Sequence, residues 1–392
     1  MRHAIATAIA ATALAAAARA DVTDPKPPAT VGATEIARVT PAKGFVDDPI
    51  AFDGARLAYV DTDGATFTEL VVYDVATKAE VSRNDLPPTL GTPTLVRWIG
   101  AGDAAKLFVA GKTDDAATAV LVGKDGKVAK KFAAGTDIAL VTRGGKLRVA
   151  IHTVKELAKG VVRHTLQLQD VETAKNVGAA RSVDVGGDGK VEKLDFRINH
   201  WTDGFTHAIG VKGGHWDPKE DQRTPDVAGD YDVVDGTFKT APIDDPMAAA
   251  RRAQVMAARP AGAEATFARM SDDLTTVELW QAGAPASLDL DQPTMQYDAQ
   301  TLGHAIDDKG AIWIALEVDP TNPAAVKRKK ADPAYIDLFA VDGGKAVRKA
   351  RVLAAPKKQY RWGVAGGRWW LLERSVGFDR GGTTLAIYSL QP

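Results

Sequence analysis

The chain has 392 residues, 49 basic against 50 acidic side chains, seven histidines, 45% hydrophobic residues and no cysteine. Near-neutrality excludes a whole-molecule field that would steer the chain to nucleic acid or anionic lipid. The missing cysteines exclude disulfides, thiolate metal sites and a cysteine-linked lipid, so the fold must be held by core burial.

In chain order, Arg2 and His3 precede an alanine-rich apolar run that ends at Ala18-Arg19-Ala20. This pattern predicts a secretory signal peptide over 1–20, cut before Asp21. The run is shorter than the ~20 residues that span a bilayer, and no later segment reaches that length. Removing Arg2 and Arg19 leaves 47 basic residues against the 50 acidic ones. Residues 21–33, with Pro25, Pro27 and Pro28, have few large apolar side chains and read as an extended linker. The expected destination is the periplasm or the external medium.

From residue 34 to 392 the chain alternates short apolar or period-two runs with turn dipeptides, and helical periodicity is nearly absent. Asp-Gly steps begin at Asp53, Asp63, Asp125, Asp188, Asp203, Asp235 and Asp342. Glycine accepts the positive φ that tight hairpins need. The first unit runs PIAF from Pro49, RLAYVDT from Arg56, ELVVYDV from Glu69 and AEVS from Ala79. Copies follow from Thr94, Asp137, Lys193, Ala253, Leu302 and Tyr360, about fifty residues apart, which is near the period of propeller repeats. The last copy stops after its third strand, TLAIYSL, and TEIARVT at 34–40 is the run available to complete it. The reading is an all-β, seven-bladed β-propeller of four-stranded antiparallel blades, closed by the N-terminal strand.

The stretch AFDGARLAYVDTDGATFTELVVYDVATK, Ala51 to Lys78, resembles the WD40-like repeats of secreted bacterial propellers of the Tol-system type. The resemblance implies the fold, an envelope or extracellular setting and a role in protein interaction. It carries over no active residues. Tol-type propellers have six blades and an extra domain, a pattern from which this chain departs.

Between second and third strands, three copies carry insertions: Val154 to Val161, Lys212 to Gly229 and Asp319 to Pro333. These connections share one face of a propeller, where insertions build binding surfaces. The second holds His215, Trp216 and Asp217; the third holds Lys327, Arg328, Lys329 and Lys330. Together they read either as solvated loop tips or as a rim of mixed sign that recognises a charged partner. His200, His207 and His215 do not form a metal site, because a strand of ~7 residues at ~3.3 Å each separates the first from the last. At the ends of the second strands, Asp61, Lys112, His152, Lys212, Glu317 and Arg374 align as a polar ring that could orient a small polar ligand.

G-x-S-x-G, H-E-x-x-H, P-loop and G-x-G-x-x-G patterns are absent, and no cofactor motif is present. Asp61-x-Asp63-Gly64 fits a hairpin turn better than a calcium loop. The leading expectation is a monomeric, exported, non-catalytic binding scaffold for an unidentified protein or polar envelope ligand. The rival is a hydrolase or lyase acting on polysaccharide or peptide, with His152 and Glu317 as its acid/base pair. Trp362, Trp369 and Trp370 are expected to pack between blades.

Overall fold

The computed structural model describes residues 30–391 apart from 66–67, 144–145, 158–159, 186–192, 199–205, 213–214, 218–221, 225–226, 233–236, 243–267, 271–275, 282–283, 291–297, 308, 310, 320–333, 343–344, 356–357 and 376–382. Between 185 and 301 the description is of the backbone. The expected signal peptide, the linker up to residue 29, the run AQVMAAR from Ala253, and Lys327 with Arg328 lie outside the described residues.

Strand β1 (Ala33–Val39) comes first. The first sheet follows as β2 (Phe45–Phe52), β3 (Arg56–Thr62), β4 (Thr68–Asp74) and β5 (Ala79–Asp85), hydrogen-bonded in that order. The second repeats it with β6 (Thr92–Ile99), β7 (Lys106–Lys112), β8 (Ala117–Val122) and β9 (Val128–Lys131). The third has β10 (Asp137–Arg143), β11 (Lys146–Glu156), β12 (Val162–Asp170) and β13 (Arg181–Val185). In the fourth, β14 (Lys193–Ile198) and β15 (Thr206–Lys212) precede a ribbon of β16 (His215–Asp217) and β17 (Gln222–Thr224), after which β18 (Val227–Asp232) and β19 (Thr237–Pro242) complete the sheet.

The pattern then changes. Strands β20 (Ala268–Met270), β21 (Thr276–Gln281) and β22 (Ala284–Leu290) form one antiparallel arm; β23 (Asp298–Ile306), β24 (Ile312–Asp319), β25 (Tyr335–Asp342) and β26 (Lys345–Leu353) form another. The arms join into a seven-stranded sheet through a short parallel contact, Asp289 opposite Lys345 and Leu290 opposite Ala346. In the last sheet, β27 (Lys358–Ala365), β28 (Arg368–Ser375) and β29 (Thr384–Leu390) are completed by β1, which runs antiparallel to β29 from Ala33 opposite Leu390 to Val39 opposite Leu385. The described residues thus hold five four-stranded sheets. The two repeats expected from Ala253 and Leu302 are instead joined edge to edge, because β22 has β26 beside its outer side.

Middle strands such as RLAYVDT and KLFVAGK are apolar on both faces, because the first sheet is packed between the last and the second, and the second between the first and the third. Tyr59 and Leu57 point toward Leu372 and Ile387 of the last sheet, whereas Ala58 and Val60 meet Val96 and Val109 of the second. Leu121 and Phe108 of the second sheet then pack on Ile138 and Val149 of the third. The β23–β26 arm packs on the last sheet through Ala315, Ile336, Trp369 and Leu371. Outer strands lose this sandwiching, and β9 is exposed along its length.

The last and first sheets are also stapled by polar contacts. Arg374 Nη2 donates to Asp47 Oδ1 (2.8 Å), Val46 N–H donates to Thr383 Oγ1 (2.9 Å), and Arg368 Nη1 donates to the Gly54 carbonyl. Gly54 (φ +90°) passes so close to Gly366 that a Cβ on it would lie 2.8 Å from the Gly366 Cα. The tryptophans pack as expected. Trp369 and Trp370 enter cores on opposite faces of β28, and Trp362 Nε1 donates to the Leu302 carbonyl across two sheets (2.9 Å).

Candidate functional site

Asp61, at the end of β3, shares its strand face with Leu57 and Tyr59 and is fully buried. Its carboxylate accepts from Gly44 N–H (3.1 Å) and Arg83 Nη1 (2.7 Å). The same Arg83 nitrogen donates to Glu69, which lies directly across the ladder from Asp61, and the rest of the guanidinium grips Glu80. Lys43 Nζ donates to the other oxygen of Glu69 (2.5 Å), and this contact, assisted by Arg83, holds the Glu69 carboxyl below the usual range against the opposing effect of burial. Asp61 therefore belongs to an ion lattice that ties the β1–β2 connection to its sheet, not to an open mouth. Asp63 and Thr62 accept from backbone N–H groups of Ala65 and Gly64, as a hairpin turn requires.

His152 lies near the end of β11, opposite Asp137 of β10 and Leu166 of β12. It is buried, and its Nε2 is 2.9 Å from His164 Nδ1, with the two rings stacked at 5.1 Å between centroids. Burial, then His164, then the ammonium of Lys112 lower His152 to about 4; burial also lowers His164. Near neutral pH this is an uncharged imidazole pair. Lys112 ends β7 and is exposed beside it.

Glu317 belongs to β24, opposite Ile336, on the face that packs against the last sheet, where it helps raise the buried phenol of Tyr360. His152 lies on the face of the third sheet turned away from the second. The two residues thus occupy different clefts, and His152 meets a second histidine where the acid/base reading needs a carboxylate. That histidine was missed in the sequence. Its signal was local: His152 and His164 flank a hairpin at positions that put both on one face of β11–β12.

Arg374 is committed to Asp47 in the staple described above. Lys212 ends β15 opposite Val227. His215, Trp216 and Asp217, expected in a loop, form the ribbon strand β16, opposite Thr224, Arg223 and Gln222. Among the described residues no group of three or more histidine, aspartate or glutamate side chains is arranged to hold a metal ion.

Hairpins between second and third strands differ in reach. In the first, second and last sheets, the second strand ends opposite the first residue of its inner neighbour: Thr62 opposite Phe45, Lys112 opposite Thr92, Ser375 opposite Lys358. In the third sheet β11 continues four residues past His152, to Glu156 opposite Val162. Thr153, Val154, Lys155 and Glu156 are exposed. In the fourth, β16–β17 extends the connection beyond Lys212. These two hairpins belong to successive sheets and leave from the same end. A cleft at the opposite end, between the second and third sheets, is lined by Asp103, Asp125 and Glu172 with Lys106 and Lys124.

No known protein family matches the chain, and no curated protein matches it. Among solved structures it is similar to the β-propeller domain of the Trilobed protease from Pyrococcus furiosus, at 10% identity and a TM-score of 0.47, covering 86% of this chain and 92% of that one. It is also similar to a DUF4221 family member from Bacteroides vulgatus (9%, TM-score 0.34, 94% and 98% covered) and to the WD40 domain of SCAP from fission yeast (8%, 0.32, 91% and 87%).

Proposed function

We propose that this chain is an exported, seven-bladed β-propeller, closed by β1, that serves as a non-catalytic interaction scaffold. The ring reading is supported by the successive inter-sheet cores, by the packing of the last sheet on the first, and by β1 as the fourth strand of the last sheet. Export is supported by the N-terminal pattern, and the envelope setting by the resemblance of Ala51–Lys78. The observation that carries the functional reading is the pair of hairpins, β11–β12 and β16–β17, standing beyond neighbouring sheets at one end. Extra backbone there adds little to the core but adds exposed surface. Lys212, His215, Trp216 and Asp217 belong to the fourth-sheet connection at that end.

Lys212 and Val227 face each other across the β15–β18 ladder, so replacing residues 213–226 with Asn-Gly supplies a two-residue turn without breaking a rung. The expected outcome is a variant with unchanged circular dichroism that no longer captures the partner bound by the unaltered protein from envelope extracts. Full retention of every captured partner would remove this face from the reading.

A further inference from the structure

The end of β11 offers more than exposed surface: it offers a free β-edge. Leu157 N–H donates to the Val161 carbonyl (2.7 Å) at the hairpin end. Because hydrogen-bonded and non-hydrogen-bonded rungs alternate in an antiparallel ladder, Lys155–Arg163 and Thr153–Thr165 are the rungs that bond to β12. Val154 and Glu156 therefore turn their amides toward the inner side, where β10 would be.

Strand β10 does not reach them. Thr136 N–H donates to the His152 carbonyl (2.6 Å), and Thr136 Oγ1 accepts from Val154 N–H (3.1 Å). At Gly135 the chain swings to the second sheet, exchanging two backbone hydrogen bonds with Ala117 (2.7 and 3.0 Å). That leaves the Val154 carbonyl and both Glu156 backbone groups without a hydrogen-bond partner among the described residues, at β spacing on an exposed edge. The outer side of the hairpin is already covered, since β13 pairs with β12 from Val162 to Leu166.

We propose that the inner edge of β11 from Thr153 to Glu156 binds an extended segment of a partner polypeptide by strand addition. Extended polypeptide is the chemistry that fits, because the free groups are main-chain donors and acceptors in strand register. Side chains refine the preference. The incoming residue beside Val154, which is 39% exposed, is apolar. Its neighbour on the opposite face, beside Lys155, is acidic or polar. The other sheets whose inner rungs are described above have no overhang of this length. This inference rests on the scaffold reading and names its partner class.

The test uses the chain from Asp21 and a phage-displayed library of random linear dodecapeptides, with selected peptides then measured as free ligands. Glu156→Pro removes one edge donor but no rung to β12, so the urea midpoint should hold while affinity falls at least about tenfold. An N-methyl scan of the best peptide should weaken binding at every second amide, as one-sided strand pairing demands. This readout does not depend on the proline variant folding. Peptides that bind Glu156→Pro unchanged, an N-methyl scan without the period of two, failure to select any peptide, or Glu156-dependent dimerisation of the chain would each overturn the proposal. Loss of the envelope partner on replacing residues 213–226, with no effect of Glu156→Pro, would leave the scaffold standing and remove strand addition alone.

Discussion

His152 shows how one side chain links packing to solution behaviour. Its folded-state value of about 4 lies below the ~6.5 of an exposed imidazole. Above about pH 6.5 the ring is neutral in both states. As pH falls from 6.5 toward 4 the unfolded chain takes up a proton that the folded chain refuses, so stability drops, and the loss levels off below about 4. The total is on the order of 2–3 kcal/mol. The gap between urea midpoints at pH 7 and 4.5 should narrow in His152→Gln relative to the unaltered protein; an unchanged gap would contradict the buried pair. A second residue-scale prediction concerns Arg351 and Asp337, a two-pronged ion pair with side chains only 5% and 3% exposed, the guanidinium lying 3.8 Å over the Tyr335 ring. Asp337→Ala should cost about 3–5 kcal/mol in urea unfolding by stranding a buried charge, and Asp337→Leu with Arg351→Met should cost much less. A small loss from the single variant would show that Arg351 finds water. Asp61 is legible as a polar strand end, and its burial is written in the same alternation: Leu57, Tyr59 and Asp61 share one face, and the two apolar neighbours mark that face as core.

Strands were the most legible elements. TEIARVT, RLAYVDT, KLFVAG, YIDLFAVD and TLAIYSL all lie on strands, offset at most by a residue or so at their ends, because period-two apolarity bounded by glycine turns has few other solutions. Two elements escaped. The β16–β17 ribbon is polar and carries glycines and prolines at its margins, so its pairing rests on continuation of the β15–β18 ladder and not on its own pattern. The parallel contact of β22 with β26 joins strands far apart in the chain, and no local pattern encodes it. At this scale β1 is the sharpest test. Deleting residues 30–39 uncovers the β29 edge and removes Ala37 and Val39 from the core shared with the first sheet. Thermal unfolding should begin well below that of the intact chain, with aggregation on the same ramp; an unchanged transition would show that β1 closes nothing. Gly54→Ala should cost about 2–4 kcal/mol, since its Cβ meets backbone and its φ is positive.

For the whole molecule, the succession of the first four sheets was legible from the fifty-residue spacing, and the pairing of the first strand with the last sheet from the incomplete final repeat, whereas the joining of β20–β22 to β23–β26 was not. Which polar residues converge was not. Asp61, Arg374 and Glu317 lie in clefts between sheets or in staples across them, and a sheet-by-sheet alignment of strand ends cannot tell an inter-sheet cleft from a central mouth. Among the described residues, the hairpins β11–β12 and β16–β17 extend from successive sheets at the end where second strands join third. A photo-cross-linking amino acid placed at Lys155 on that end, and separately at Lys127 in the β8–β9 turn on the other, tests this most directly in cells. The account predicts a discrete adduct from Lys155 and none from Lys127. An adduct from Lys127 alone would place the working surface at the opposite end and contradict it.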